Sequence, residues 1–397
     1  MTMRIAYFSP LNPMPSGISD YSEELLPYLA RHAQIDLFID DYEPSNREIV
    51  NSFSIFHHRD FERLARKRRY DIYLYQMGNS PYHEYIYHQL RHRPGVTVLH
   101  DYVLHHFLGF ITVGRGDLIA YIREMGYSYG LEGIVRARRM FAGKERVPRY
   151  KYPLCERVVD SSLGVIVHSD YAVRRLDEIR PGITVTKVNQ HLSLREVPPR
   201  ATARASLGLG DDQLVLASFG LIDPVKRTDV ILRAFARFRE KRANAIYLLV
   251  GELVPPYQVE DGVHELGLDG RVKVTGHVDM DTFQAYMAAC DVAINLRFPT
   301  AGETSASVIR LMGTGKPVIV SNVGWYGELP DDCCLKVDPA EREEETLLAY
   351  MEFLAANEGA RQELGTTARA YIEENHSLEG SAQGYIAFIR DILSNLA

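Results

Sequence analysis

Short runs of aliphatic and β-branched residues recur along the chain, with amphipathic stretches between them. The first set covers residues 4–9, 35–39, 71–76, 96–100 and 163–168. The second covers 214–219, 245–251, 272–275, 292–296 and 317–321. The runs are nearly continuous in apolar residues, the pattern of strands buried on both faces. Stretches such as 21–31 and 229–242 carry apolar residues on one helical face. Strand, helix, strand, helix predicts parallel sheets covered by helices on both sides.

The alternation runs twice. Between the two sets lies HLSLREVPPRATARASLGLGDDQ, residues 191–213, polar and small apart from its ends. Pro198 and Pro199 interrupt regular structure, so the domain boundary is placed there. The expected organisation is α/β: a Rossmann-like domain over 1–190, with an extra helical section at about 102–158. A linker over 191–213 and a second Rossmann-like domain over 214–379 follow. A terminal helix over 380–397 closes the chain, with a return to the first domain as one course for it. The two parallel sheets are expected to face a central cleft. The acidic segment 341–346 is expected to open a helix with its charges on a solvated face.

Composition excludes more than it assigns. A chain of 397 residues, 46% hydrophobic and 24% charged, is ordinary globular material for two or three domains. A net charge of −7 argues against wholesale nucleic-acid binding. Basic clusters at Arg63 and 66–69, and from Arg136 to Lys151, read as solvated helix faces. A peripheral contact with anionic membrane is the alternative. Four cysteines are too few and too badly spaced for a disulfide scaffold or a zinc ribbon. A cytoplasmic location is therefore expected, or a peripheral one on the inner face of the membrane. The first ten residues read as a strand, not a signal peptide, and no run approaches the ~18 apolar residues of a membrane span. The pairs His57-His58 and His105-His106 lack a carboxylate pattern with metal spacing, so neither metal nor cofactor is expected.

In an open parallel sheet, ligands bind beyond the carboxyl ends of the strands. Four loops there carry polar chemistry. PLNPMPSGISD, residues 10–20, offers Gly17 and a helix start to an anion, or is a plain turn. GLIDPVKRT, residues 220–228, sets Lys226 and Arg227 just before a helix, an arrangement suited to a diphosphate. Residues 302–307 supply hydroxyls from Thr304, Ser305 and Ser307 with the N–H groups of a helix start. Glu303 either accepts from a sugar hydroxyl or caps that helix. His100 and Asp101 end a strand, and the neighbouring loop GNSPYH offers Asn79 and His83. Tyr82, Tyr85 and Tyr87 are candidates for lining a cleft. No GxGxxG or GxxxxGK[ST] occurs.

Together these residues resemble the retaining, metal-independent glycosyltransferases of the GT-B fold, the large family four or group 1 type, over nearly the whole chain. Pro15-Ser16-Gly17-Ile18 followed by Tyr21 is similar to the family's first-domain loop, and His100-Asp101 to its His-Asp at a strand end. Gly220 to Phe235 is similar to its Gly-Arg-Leu motif. GETSASVIRLMGTGKPVIVSNVGWYGELPD, residues 302–331, is similar to its Glu-x7-Glu region in a GETS variant. Leu221 stands where that family has arginine, and Arg310 where it has the second glutamate.

The resemblance implies a hexosyltransferase moving sugar from a UDP- or GDP-sugar to a glycan, lipid-linked or small-molecule acceptor. Configuration is expected to be retained without a metal. It implies Ser16, Gly17, Gly220, Arg227, Gly302, Thr304, Ser305, Ala306, Ser307 and Arg310 at the donor. Tyr21, Asn79, His83 and Asp101 are expected at the acceptor, with His100, Lys226 and Glu303 at the reacting centre. A non-catalytic nucleotide-sugar-binding protein or partner subunit, and a GT-B sugar epimerase, are the rival readings.

Overall fold

The computed structural model describes residues 3–396. Contacts divide the chain into two units. The first runs to His191 and also takes in Ala301–Thr304 and the chain from Leu378 onward. The second comprises Leu192–Thr300 and Ser305–Ser377.

The first unit holds strands β1 (Met3–Phe8), β2 (Ala33–Ile39), β3 (Ser54–His57), β4 (Ile72–Met77), β5 (Val96–Leu99), β6 (Gly164–Val167) and β7 (Val185–Lys187). They form one parallel sheet in the order β3-β2-β1-β4-β5-β6-β7. The second unit holds β8 (Leu214–Phe219), β9 (Ala245–Val250), β10 (Val272–Val274), β11 (Val292–Asn295), β12 (Val318–Ser321) and β13 (Leu335–Val337), parallel in the order β10-β9-β8-β11-β12-β13.

Both faces of each sheet are buried, which is why the strands read as unbroken apolar runs. Ile5 and Tyr7 of β1 enter one cluster while Ala6 and Phe8 enter the other. In β8, Val215, Ala217 and Phe219 pack on one side and Leu216 on the other. Each such side chain contributes about 1.5–3 kcal/mol on full burial. The ten expected strands are all present within a residue or two of their expected ends. The three that were not expected, β3, β7 and β13, are only three or four residues long and stand at sheet edges.

Helices His105–Ile111, Leu118–Phe141 and Glu156–Asp160 supply the extra section between β5 and β6; the long one breaks at Gly130, whose φ is 58°. The terminal helix Leu378–Leu396 packs within the first unit. A Cβ on Gly164 of β6 would lie 2.8 Å from Phe388 Cζ, so glycine there lets the helix approach the strand. No helix among the described residues is long and apolar enough to cross a membrane.

Two sequence expectations are corrected. Residues 191–213 are not only a linker, because Arg200–Leu207 is a helix anchored by the fully buried Arg204. The acidic segment does open a helix, Glu343–Ala356, but Glu343 is only 3% exposed and holds Arg227, so it is not part of a solvated face. The basic clusters are partly ion-paired: Arg68 with Asp36, Arg63 with Asp60, and Arg136 and Arg139 with Glu145.

Candidate functional site

Strand order reverses between β8 and β11 in the second unit and between β1 and β4 in the first. Loops at such a switch point splay apart and leave room for a ligand. In the second unit these are residues 220–228 after β8 and, after β11, residues 296–300 and Ser305, with 301–304 belonging to the first unit.

The loop after β8 is shaped by its backbone bonds. Gly220 N–H donates to Val250 O at 2.9 Å, and Ile222 N–H to Glu252 O at 2.8 Å. Asp223 caps the short turn Pro224–Lys226 by accepting from the Lys226 N–H at 3.3 Å. That turn carries the Lys226 side chain inward, where it is 6% exposed and its ammonium donates to Phe219 O. Gly220 has φ 86°, a conformation other residues adopt only with strain. A Cβ there would stand 3.3 Å from both Lys226 Nζ and Ser307 Oγ. A lysine ammonium and a serine hydroxyl thus converge on one glycine at the switch point.

Ser307 lies in the first turn of helix Ala306–Gly313. Ser305 is its N-cap, accepting from the Val308 N–H at 3.3 Å. The capping alternative for Glu303 is therefore corrected: its carboxylate instead accepts from the Ala301 N–H at 2.8 Å and closes its own loop. Thr304 Oγ1 is buried and has no hydrogen-bond partner among the described residues. Gly302 has φ 81°. Arg310 lies on the same helix as Ser307, one turn further on.

Arg227 is not left open as a diphosphate cation. Its Nε donates to Glu343 at 3.1 Å and 3.2 Å, and this pair ties the loop to a helix 116 residues away in sequence. Sequence reasoning missed a different cation, Arg297. It stands just past Leu296 beyond the end of β11, its Nη1 is 3.8 Å from Asp223 Oδ1, and the next residue, Phe298, donates its N–H to Val225 O at 2.8 Å. Its position at the carboxyl end of a strand was the available signal. Leu221, where the resemblance calls for arginine, is 62% exposed.

In the first unit, Ser16 caps helix Gly17–Leu29 by accepting from the Ile18 N–H at 3.3 Å, and a Cβ on Gly17 would meet nothing within 4 Å. Tyr21 belongs to the core: it is 5% exposed and its hydroxyl lies 2.5 Å from that of Tyr385. The expected acceptor contact is thereby corrected to a support, since its ring stands edge-on to His100 at 4.7 Å. His100 follows β5, and its ring nitrogen Nε2 lies 2.7 Å from Gln76 Oε1, which accepts its proton. Burial, reinforced by the nearby His168, His83 and His191, pushes this imidazole well below its usual pKa. His100 is therefore a neutral, weak base.

Asn79 and His83 also prove more structural than expected. Asn79 accepts the Phe107 N–H at 2.9 Å and thereby caps helix His105–Ile111, while its own N–H donates to Asp101 Oδ2 at 2.9 Å. His83 is 1% exposed beneath Gly78. Tyr85 and Tyr87 are likewise core residues rather than cleft lining. His57 and His58 do have a carboxylate beside them, Asp40, with His58 Nε2 3.4 Å from it. His57 Nδ1 already accepts the Arg59 N–H.

Residues 199–371 match the family model of glycosyl transferases group 1. Apart from residues 301–304, that match lies within the second unit, and the chain has a GT-B fold. The D-inositol 3-phosphate glycosyltransferase 2 of Catenulispora acidiphila is 28% identical over 207 residues, 48% of this chain and 48% of that one. The chain spans about half the length of the first curated relatives it matches. Sucrose-phosphate synthase from Thermosynechococcus elongatus aligns with a TM-score of 0.70 over 99% of this chain and 100% of its own, at 18% identity. The Anabaena protein HepE in complex with UDP aligns with a TM-score of 0.69 over 98% and 100%, at 15% identity.

The GT-B first unit carries two further histidines with a thermodynamic signature. Desolvation lowers the pKa of both His83 and His105 from 6.5 to about 4. Between those values the unfolded chain takes up protons that the folded unit refuses, so stability is full above pH 6.5 and falls as pH drops toward 4. The slope is about 1.4 kcal/mol per pH unit for each histidine. His105 Nδ1 donates to Tyr152 O and Nε2 accepts from the Tyr121 hydroxyl. An asparagine at 105 keeps the first bond and cannot titrate. Urea unfolding at pH 6.5 and 4.5 should show a smaller loss in His105→Asn than in the wild type; equal losses would contradict this assignment.

Proposed function

We propose that the protein transfers a hexose from a UDP- or GDP-sugar to an acceptor hydroxyl, with retention of configuration and without a metal ion. The observation that carries this reading is the convergence of Lys226 Nζ and Ser307 Oγ on Gly220 at the β8–β11 switch point. Charge develops on the leaving diphosphate as the glycosidic bond breaks. A buried ammonium, a serine hydroxyl and the free N–H groups of helix Ala306–Gly313 oppose that charge. UDP bound by the structurally similar HepE is in keeping with a nucleotide donor. Thr304 Oγ1 and the Glu303 carboxylate are assigned to sugar hydroxyls. His100, as a neutral imidazole, positions the sugar rather than abstracting a proton. In this reading no enzyme nucleophile is used, and the acceptor attacks from the face the leaving group departs.

Arg310 is assigned to the nucleotide, where it compensates for Leu221. Arg310→Ala should raise KM for the donor about tenfold, the loss of one charge-assisted contact, with kcat little changed. An unchanged KM would remove Arg310 from the donor site.

The reading is tested by incubating the protein with UDP- and GDP-sugars and a panel of acceptors, with and without EDTA. Free nucleotide together with a new glycoside of the donor's anomeric configuration, undiminished by EDTA, is the expected result. Donor converted without acceptor would make it an epimerase, and tight donor binding without turnover would make it a binding protein.

A further inference from the structure

The first unit holds a cavity of about 400 Å³ at the helical section that follows β5. Phe110, Val113, Met140 and Val147 form its apolar walls. Its single cation is Arg149, which is exposed. This volume is in the usual range for small-molecule pockets, which are apolar with a few polar groups that fix orientation.

Two glycines keep the cavity open. Gly109 lies inside helix His105–Ile111, where glycine costs about 0.5–1 kcal/mol relative to alanine. Its φ is not in the left-handed region, and a Cβ there would meet nothing within 4 Å. Neither backbone geometry nor close packing requires glycine at this position, and its lack of a side chain leaves the volume beside it unfilled. Gly114 faces the same space, with nothing nearer to its Cβ position than 3.7 Å.

The cavity also abuts the strand edge described above. His106 lines it, and His106 Nδ1 is 3.2 Å from Asn79 Nδ2. Asn79 is in turn bonded to Asp101, the neighbour of His100. A sugar hydroxyl held near His100 would leave the rest of the acceptor within reach of an apolar chamber with one cation.

We propose that this cavity binds the apolar part of the acceptor, an alkyl or aryl group carried beside an anionic group that Arg149 meets. The inference rests on the glycosyltransferase reading and names the class of its acceptor. Aliphatic or aromatic surface supplies the affinity by leaving water, and the guanidinium selects a phosphate or similar anion.

Octyl phosphate below its micellar concentration is a suitable probe, with inorganic phosphate, octyl glucoside and UDP as companions, all measured by calorimetry. Octyl phosphate should bind the wild type at least about tenfold more tightly than inorganic phosphate. Gly109→Leu, which fills the space, should weaken octyl phosphate and octyl glucoside at least about tenfold, whereas Gly109→Ala should largely spare both. Arg149→Ala should weaken octyl phosphate and leave octyl glucoside unchanged. UDP affinity should be the same in all four proteins, which shows that the fold is intact. Octyl phosphate binding unaltered by Gly109→Leu, or no tighter than that of inorganic phosphate, would overturn the proposal. Octyl phosphate bound as expected by a protein that neither binds nor turns over nucleotide sugars would instead overturn the glycosyltransferase reading and, with it, the acceptor role.

Discussion

Lys226→Met should lower kcat about 10²- to 10³-fold while leaving the protein folded. Lys226 is 6% exposed and its ammonium donates to the carbonyl that ends β8, so it is already aimed and desolvated before any substrate arrives. A donor of this kind acts most strongly where charge appears only during the reaction, and removing one such group costs about 3–4 kcal/mol of transition-state stabilisation. Methionine keeps the length and apolar stem of the side chain and removes only the charged head. The loss should therefore appear mainly in turnover, with a smaller change in donor KM. Steady-state nucleotide release, with melting temperature as a control, measures both. A variant with near wild-type turnover would place the diphosphate elsewhere.

Arg204→Ala should destabilise the second unit by about 3–5 kcal/mol, the cost of breaking one partner out of a buried ionic network. Arg204 is fully buried, and each of its three guanidinium nitrogens is hydrogen-bonded. It donates to the carbonyls of Ala289, Gly210, Asp211 and Gln213 and to Asp291 Oδ2 at 2.7 Å. Asp291 in turn accepts the Val215 N–H at the start of β8 and is held by Arg200. One guanidinium thus closes the turn before β8 and fastens helix Arg200–Leu207 to the sheet that presents Gly220. Denaturant unfolding of the second unit should report the loss, and donor KM should rise with it if the loop loosens. A change below about 1 kcal/mol would show that the network is replaceable by water.

The strands were legible because burial on two faces leaves unbroken apolar runs, as in Leu214–Phe219, where the expected and observed ends coincide. β3, β7 and β13 were not, since three or four residues at a sheet edge need no such run. Lys226, Ser305 and Ser307 were singled out in the sequence by one rule, that loops at the carboxyl ends of strands carry the chemistry. The same rule applied to β11 would have found Arg297. The pairing of Arg227 with Glu343 was beyond reach, because it joins residues 116 apart and no local pattern announces it. Tyr21 was read as an acceptor contact from its place in a motif. Its burial against Tyr385 depends on a helix at the far end of the chain. Arg204 escaped notice because a polar, proline-containing stretch reads as a linker. The contacts that make it a helix are all made with residues further along the chain.

The position of the diphosphate is the most direct test of the account. In crystals grown with UDP or GDP, both phosphates should lie beside Gly220, within hydrogen-bonding distance of Lys226 Nζ and the N–H groups that open helix Ala306–Gly313. A nucleotide held at the first unit's sheet, or bound in the second unit with Lys226 pointing away from its phosphates, would contradict it.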